Sequence, residues 1–220
     1  LDAFVANYGS NQVWHHDSVV TFSNYIPGLG ESHKENVRLG DVDGDGDLDA
    51  FVANSFSQGN RVWLNDGAGN FTDSGQSLGN QSSLSVSLGD VDGDGDLDAF
   101  VANDGSNRVW LNDGAGNFTD RGQALGNHFS RGVSLGDLDG DGDLDAFVAN
   151  NGEANRVWLN DGLGSFTDSG QSLGNQHSKD VSLGDVDGDG DLDAFVANNN
   201  QANRVWVNNG SGVFTDSGQI

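Results

Sequence analysis

The sequence predicts an all-β fold made of repeats, and three observations predict it. Trp14, Trp63, Trp110, Trp158 and Trp206 recur at offsets of 49, 47, 48 and 48, and Asp41, Asp90, Asp137 and Asp185 open the same acidic run at offsets of 49, 47 and 48. A period of that length marks an array or a radial repeat fold. Within each copy, short runs of β-formers alternate with turns rich in Gly, Asn and Asp. Gly makes up 34 of the 220 residues and no stretch keeps a helical apolar period, which excludes helix. Four short antiparallel strands per copy make one blade of a β-propeller. The expected architecture is therefore a single domain over 1–220, with four complete four-stranded blades at about 36–79, 84–126, 131–174 and 180–220 and a partial N-terminal blade at 1–27.

The copy at 84–127 shows the order of elements. Leu84–Val91 alternates apolar and polar residues as a half-buried strand does, and is strand A. An Asp/Gly run follows at 90–98, and Asp98–Asn103 (DAFVAN) is strand B. Asn103–Asn107 turns the chain into strand C, Arg108–Asn112 (RVWLN). Asp113–Asn117 (DGAGN) supplies the residues of a tight hairpin, and Phe118–Leu125 is strand D. Residues 1–27 carry only the B, C and D strands of a fifth blade, and the chain stops at Ile220 where its A strand would follow. The arithmetic favours a five-bladed ring lacking one inner strand. A window cut from a longer array and a strand donated by a neighbouring chain fit it too. Leu1 opens in the middle of a motif, with neither initiator Met nor signal peptide, so a processed or excised segment is expected.

Composition narrows the function classes. Nine basic residues face 34 acidic ones, a formal charge of −25. Such acidity ordinarily means disorder. Here Leu, Ile, Val and Phe total 54 residues, above the roughly 20% below which a charged chain builds no core. The acid is also clumped, with 20 of the 34 acidic residues in four short runs. A surface of this sign repels phosphate backbones and anionic lipid, which argues against nucleic-acid binding. No apolar run approaches the roughly 20 residues that span a bilayer, so no membrane insertion is expected. The absence of Cys removes disulfides, thiolate metal sites and Cys nucleophiles.

The acidic runs are the candidate cation sites. Each reads D-x-D-G-D-G-D-x-D: Asp41, Asp43, Asp45, Asp47 and Asp49; Asp90, Asp92, Asp94, Asp96 and Asp98; Asp137, Asp139, Asp141, Asp143 and Asp145; Asp185, Asp187, Asp189, Asp191 and Asp193. Carboxylates at positions 1, 3, 5 and 9 converge if the chain curls tightly, which the Gly residues at 4 and 6 permit. Position 7 is expected to offer its main-chain carbonyl while its side chain faces solvent. Hard cations such as Ca²⁺ take about 6–8 oxygens in flexible geometry, whereas Mg²⁺ demands a near-ideal octahedron. About four Ca²⁺ ions, one per run, are therefore expected. The bland alternative, an acidic turn that binds nothing, suits a single such run but not four repeated with one ligand spacing. An EF-hand needs Glu at position 12 and flanking helices. Position 12 here is Val52, Val101, Val148 or Val196, inside a strand, so the EF-hand fails. Loops of this kind in extracellular modules bind Ca²⁺ at roughly 10⁻⁴–10⁻³ M, which suits a secreted protein.

The copies LGDVDGDGDLDAFVAN and NRVWLNDGAGNFTD resemble FG-GAP/VCBS repeats, the family that builds integrin α-subunit propellers and many bacterial surface and secreted proteins. The resemblance covers nearly the whole chain. It implies a β-propeller with Ca²⁺ in each A–B loop, held by positions 1, 3, 5, 7 (main chain) and 9 of the runs above. Two departures stand out. The family's rings often have seven or eight blades, and this chain has fewer than five complete ones. Asp2 matches position 9 of a run whose other ligands are missing, so no fifth site is expected.

The aromatic residues read mainly as core. Trp63, in mid-strand RVWLN, is expected to pack between neighbouring blades, with a ligand-stacking platform as the alternative. Phe51, Phe100, Phe147 and Phe195 of strand B, and Phe71, Phe118, Phe166 and Phe214 of strand D, are expected in the core. Alternating strands put the A–B loops and C–D turns on one face and the B–C and D–A loops on the other. Nearly all variation between copies falls on the second face, at Ser55–Gly59, Asp104–Ser106, Asn151–Ala154 and Asn199–Ala202 and in the D–A loops. Repeat arrays bind through loops that their copies do not share, and drift in exposed turns predicts the same variability. Phe56 and Phe129, extra to the repeat, are the candidate ligand contacts on that face.

No Ser elbow, Cys nucleophile or His-rich metal site appears, so no enzyme activity is expected. The reading is a non-catalytic, calcium-binding extracellular protein for adhesion or structural assembly, at the cell surface or secreted. Its expected partners are a protein or glycan ligand on the B–C/D–A face, and further copies joined through the missing inner strand. The alternatives are a carbohydrate-binding, lectin-like propeller and a targeting module of a secreted hydrolase or lyase.

Overall fold

A computed structural model of the chain describes residues 35–219 in full, and before them the backbone of the strands at 3–5, 8–16, 22–24 and 29–34. Asp2 and the side chain of Trp14 lie outside the described residues. The chain is all-β, with no helix among the described residues. An N-terminal unit holds β1 (Ala3–Val5), β2 (Tyr8–His16) and β3 (Phe22–Asn24). Unit one follows with β4 (Leu29–Gly40), β5 (Asp49–Asn54), β6 (Arg61–Asn65) and β7 (Phe71–Asp73). Unit two has β8 (Ser82–Gly89), β9 (Asp98–Asn112) and β10 (Phe118–Asp120). Unit three has β11 (Leu125–Gly136), β12 (Asp145–Asn150), β13 (Arg156–Asn160) and β14 (Phe166–Asp168). Unit four has β15 (Ser178–Gly184), β16 (Asp193–Asn198), β17 (Arg204–Asn208) and β18 (Phe214–Asp216).

Every pairing is antiparallel, and the register repeats from unit to unit. Ala50 faces Trp63, Ala146 faces Trp158 and Ala194 faces Trp206; Ala3 faces Trp14 in the same way, so β1 to β3 follow the B–C–D pattern. The strands form three sheets because β4 and β11 each serve two units. The first half of β4 pairs with β2 and its second half with β5; β11 likewise bridges β9 and β12. Two seven-stranded sheets and one four-stranded sheet result.

Two elements differ from the sequence expectation. Strand D is three residues long rather than eight, Phe118–Asp120 in unit two. The Asp120 carboxylate accepts the Gly122 amide at 2.8 Å, and Gly122 sits at φ 85°, so an Asx turn ends the strand there. The B–C turn of unit two is itself paired, Asp104 with Phe129, Gly105 with His128 and Asn107 with Leu125, so strands B and C run on as the single β9.

Most of the apolar core lies between units, with a smaller cluster of Ala50, Val52 and Trp63, flanked by Val37 and Phe71, within unit one. Val42, Phe51, Ala53, Val62 and Leu78 of unit one pack with Val86, Ala99, Val101, Trp110 and Phe118 of unit two, and the same set recurs at the next two junctions. Trp110, Trp158 and Trp206 are thus core residues at unit boundaries. At each junction a strand-B Phe meets the next unit's strand-D Phe edge to face: Phe51–Phe118 and Phe100–Phe166 at 5.2 Å, and Phe147–Phe214 at 5.3 Å. Each such pair adds about 0.5–1.5 kcal/mol beyond its area. The glycine of LGD makes the approach close. A Cβ on Gly89 would come within 2.7 Å of Leu144 in the following unit.

A glutamine fastens each junction at its rim. Gln76 donates to the Gly116 carbonyl at 2.7 Å and accepts the Phe118 amide at 2.8 Å; Gln171 does the same with Gly212 and Phe214 at 2.6 and 2.8 Å. Gln123 bridges the Phe166 amide and carbonyl at 3.1 and 3.3 Å. The fourth unit differs on one side. Val186 is 54% and Phe195 44% exposed there, where their equivalents Val91 and Phe100 are 1% and 0% exposed. Phe195 is therefore not a core residue as expected, because no following unit covers it among the described residues.

Candidate metal centres

Each acidic run forms the loop between the first two strands of its unit, and backbone amides fold it inward. In unit one, Asp41 takes the Gly44 amide on Oδ1 at 2.8 Å and the Gly46 amide on Oδ2 at 3.0 Å. That curl requires left-handed backbone at both glycines, whose φ values are 76° and 94°. Asp45 accepts the Asp47 amide at 2.9 Å, which holds the far side of the loop. The pattern returns at Asp90, Asp137 and Asp185, with amide contacts between 2.7 and 3.2 Å.

Position 9 anchors the loop to the sheet. Asp49, Asp98, Asp145 and Asp193 are fully buried. Asp98 accepts the Val91 amide at 3.0 Å and the Asn112 amide at 2.8 Å, tying the loop's second residue to the end of strand C. Burial pushes the Asp98 and Asp145 carboxyls up to about 6, against the pull of those amide bonds, and raises Asp49 as well. Burial also raises Asp43, Asp92, Asp139 and Asp187 at position 3, reinforced by the carboxylate two residues on.

Carboxylate oxygens converge in all four loops, each group lying within 4.8 Å: Asp41, Asp43 and Asp45; Asp90, Asp92 and Asp94; Asp137, Asp139 and Asp145; Asp185, Asp187 and Asp193. At position 3, Oδ1 of Asp92 and Oδ1 of Asp139 are buried and have no hydrogen-bond partner, whereas Oδ1 of Asp43 and of Asp187 accept the amide two residues on at 3.4 and 3.2 Å. A buried acceptor without a donor costs about 1–3 kcal/mol, more when charged. A cation is the partner that such oxygens fit, and the all-oxygen donor set is that of a hard ion.

Position 7 behaves differently from its expectation. The side chains of Asp47, Asp96, Asp143 and Asp191 do not face solvent. Each is half-buried against a glycine of its own unit's C–D turn; a Cβ on Gly114 would meet Asp96 Oδ2 at 2.4 Å. The side chain thus braces the turn beneath the loop, outside the convergent oxygens.

The loops are also held by their neighbours, a role that the sequence did not reveal. Asn112 donates to the Val42 carbonyl at 2.8 Å, Asn160 to Val91 at 2.8 Å and Asn208 to Leu138 at 2.8 Å. Gly164 and Gly212 add amide bonds to Val91 and Leu138 at 2.9 and 2.7 Å. The second residue of each of the first three runs is therefore gripped by the next unit. The recurrence of the last Asn in RVWLN and RVWVN was the available signal.

On the opposite face, Phe56 is 65% exposed, in a left-handed turn with φ 56° and its amide on Ser82 Oγ at 3.0 Å. Phe129 is half-buried, with the Arg131 guanidinium 5.2 Å from its ring centroid. His128 contacts the Glu153 carboxylate, and His177 Nδ1 lies 3.1 Å from Asn151 Oδ1, so both histidines tie D–A loops to B–C loops.

Comparison with known proteins bears on this geometry. An FG-GAP-like repeat model matches four times, at residues 41–101, 90–148, 137–196 and 185–220. No curated protein sequence matches the chain. Among solved structures, an Agrocybe aegerita lectin, described for its specific recognition of non-reducing terminal N-acetylglucosamine, is similar at TM-score 0.62 and 23% identity, over 97% of this chain and 61% of that one. BBS1N in complex with ARL6DN is similar at TM-score 0.62 and 13% identity, over 93% of this chain and 60% of that one. The computationally designed Ika4 protein is similar at TM-score 0.50 and 10% identity, over 80% of this chain and 92% of that one. At these identities the likeness concerns the fold. The chain spans about three fifths of the length of the lectin and of BBS1N.

Proposed function

The chain belongs to the FG-GAP-like repeat family, and from that membership we propose that it is a non-catalytic, calcium-binding β-propeller module that works outside the cell in adhesion or structural assembly. The observation that carries the metal is the pair of buried, donorless carboxylate oxygens on Asp92 and Asp139, inside loops whose other oxygens converge. Ca²⁺ is the ion of choice because flexible, carboxylate-rich loops suit its coordination better than that of Mg²⁺. Positions 1, 3, 5 and 9 would hold it, with the main-chain carbonyl at position 7. The ion supplies charge neutralisation and cross-linking, and no chemistry on a substrate. Equilibrium dialysis should find four calcium ions per chain, one for each of the four loops. An unchanged melting temperature on moving from calcium to chelator would overturn the reading.

Assembly has one observation of its own in favour. The face of unit four that carries Val186 and Phe195 is exposed, and a second copy docked there would cover it. Sedimentation should show association that rises with concentration and is lost in Phe195→Asp. A monomer at every concentration would remove this route.

A glycan-binding role is favoured by Phe56, an exposed aromatic ring on the variable-loop face. The lectin's sugar, terminal N-acetylglucosamine, is the first to try. Retention on a glycan array that disappears in Phe56→Ala would support it, and no retention on any glycan would exclude it.

A further inference from the structure

At the start of each inner strand the ladder slips by one residue. Lys34 pairs with Asn54 but Asn36 with Ala53; Ser83 pairs with Asn103 but Ser85 with Ala102; Ser130 pairs with Asn150 but Gly132 with Ala149; Ser178 pairs with Asn198 but Asp180 with Ala197. Four β-bulges result, and the extra residues are Glu35, Leu84, Arg131 and Lys179. In three units a Ser–Asn hydrogen bond pins the bulge, with Ser83, Ser130 and Ser178 donating to Asn103, Asn150 and Asn198 at 2.7, 2.8 and 2.9 Å, the first two buried and the third part-buried. A bulge re-aims the side chain it carries.

All four re-aimed residues line one cavity of about 210 Å³, at the variable-loop end of the inner strands. The copies are nearly identical a few residues further on, where Val, Leu and Gly recur. At the bulge they read Glu, Leu, Arg and Lys. One repeated backbone position thus presents four different chemistries to a shared space.

Both signs of charge line the cavity. Arg131 and Lys179 come from adjacent units, and among the described residues neither makes an ion pair. Burial and the charge of Arg131 hold the Lys179 ammonium below its usual range. Stacking on Phe129 steadies Arg131. Glu35 lines the cavity from unit one and Leu84 from unit two, while Asp180 follows Lys179 and lies against Gly132, beside the two cations. A simple anion would meet Glu35 and Asp180 and would be repelled by a chain of formal charge −25. A ligand with both signs and no net charge escapes both penalties.

We propose that this cavity binds a small zwitterion of the α-amino-acid class, its carboxylate taken by Arg131 and Lys179, its ammonium by Glu35 and Asp180, and an aliphatic side chain set against Leu84. The site is separate from the calcium loops at the other end of the strands. It is therefore tested in calcium-saturated protein, where the two proposals fail independently.

The experiment is calorimetric titration with L-leucine, with acetate and methylammonium as its charged halves. Saturable leucine binding at one site per chain is expected, with acetate and methylammonium much weaker. Arg131→Gln and Lys179→Gln should each weaken leucine about tenfold, since a lost charge-assisted hydrogen bond is worth at least ~1.4 kcal/mol. Leu163→Ala, at an exposed C–D turn residue outside the cavity, should bind leucine as the wild type does. The proposal is overturned if leucine does not bind, if both Gln variants bind it unchanged while keeping the wild-type melting temperature, or if acetate alone binds as tightly as leucine.

Discussion

Asp139→Asn should shift the melting temperature in opposite directions with and without calcium. With free calcium at about ten times Kd, a single occupied site adds about 1.4 kcal/mol of stability. For a chain of this size about 1 kcal/mol moves the melting temperature by roughly 2–4 °C. The variant should therefore melt about 3–6 °C lower in calcium. In chelator the sign changes. Asp139 Oδ1 is buried without a donor, and burial followed by the Asp141 carboxylate disfavours its charge. An amide of the same shape removes that charge and its repulsion from Asp137 and Asp141, so the variant should melt above the wild type. Thermal melts followed by circular dichroism in the two buffers read both shifts. An equal downward shift in both would mean that Asp139 supports the fold by packing alone, and would refute the cation argument.

Other predictions follow from burial and linkage. Phe100→Ala, at a fully buried ring that meets Phe166, should cost about 3–5 kcal/mol by denaturant unfolding. Phe195→Ala, at the same motif position but 44% exposed, should stay within about 0.5 kcal/mol in dilute, monomeric protein. Gln171→Ala leaves the Phe214 amide and the Gly212 carbonyl without their shared partner, and should cost about 1–2 kcal/mol in the same assay. In chelator, stability should rise as pH falls from about 6 to about 4. Asp98 and Asp145 titrate near 6 when folded and near 3.9 when unfolded, so within that window the folded state binds protons that the unfolded state does not. With calcium bound the slope should reverse, because protons then compete with the ion; melting curves across pH in both buffers check it.

Much of the architecture was legible because each layer of the code repeats. The spacing of the Trp and Asp residues marks the units, the two-residue alternation of VSLG marks the inner strand, and DGDGD marks a loop that needs two left-handed residues. What stayed hidden depended on contacts across units or on single-residue shifts in register. The bulge at Leu84 is invisible to an alternation rule, because Leu84, Val86 and Leu88 keep the period while the partner strand loses a step. Gln76, Gln123 and Gln171 read as the tail of strand D, whereas they close hydrogen bonds onto the next unit some 40 residues away. The bracing role of Asp47 and its counterparts needs the Gly of the C–D turn beneath them, which no local pattern announces.

The grip of Asn112, Asn160 and Asn208 on the preceding loop gives the array a direction. The side-chain hydrogen bonds that hold the first three ion-binding loops come from the unit that follows each, so a loop loses them when the following unit opens. Unit four has nothing leaning back on its loop among the described residues, and Val186 at the gripped position stands open to water. That loop should empty first on chelation and refill last, and melting should start there and run backward along the chain like a seam opening from its loose end.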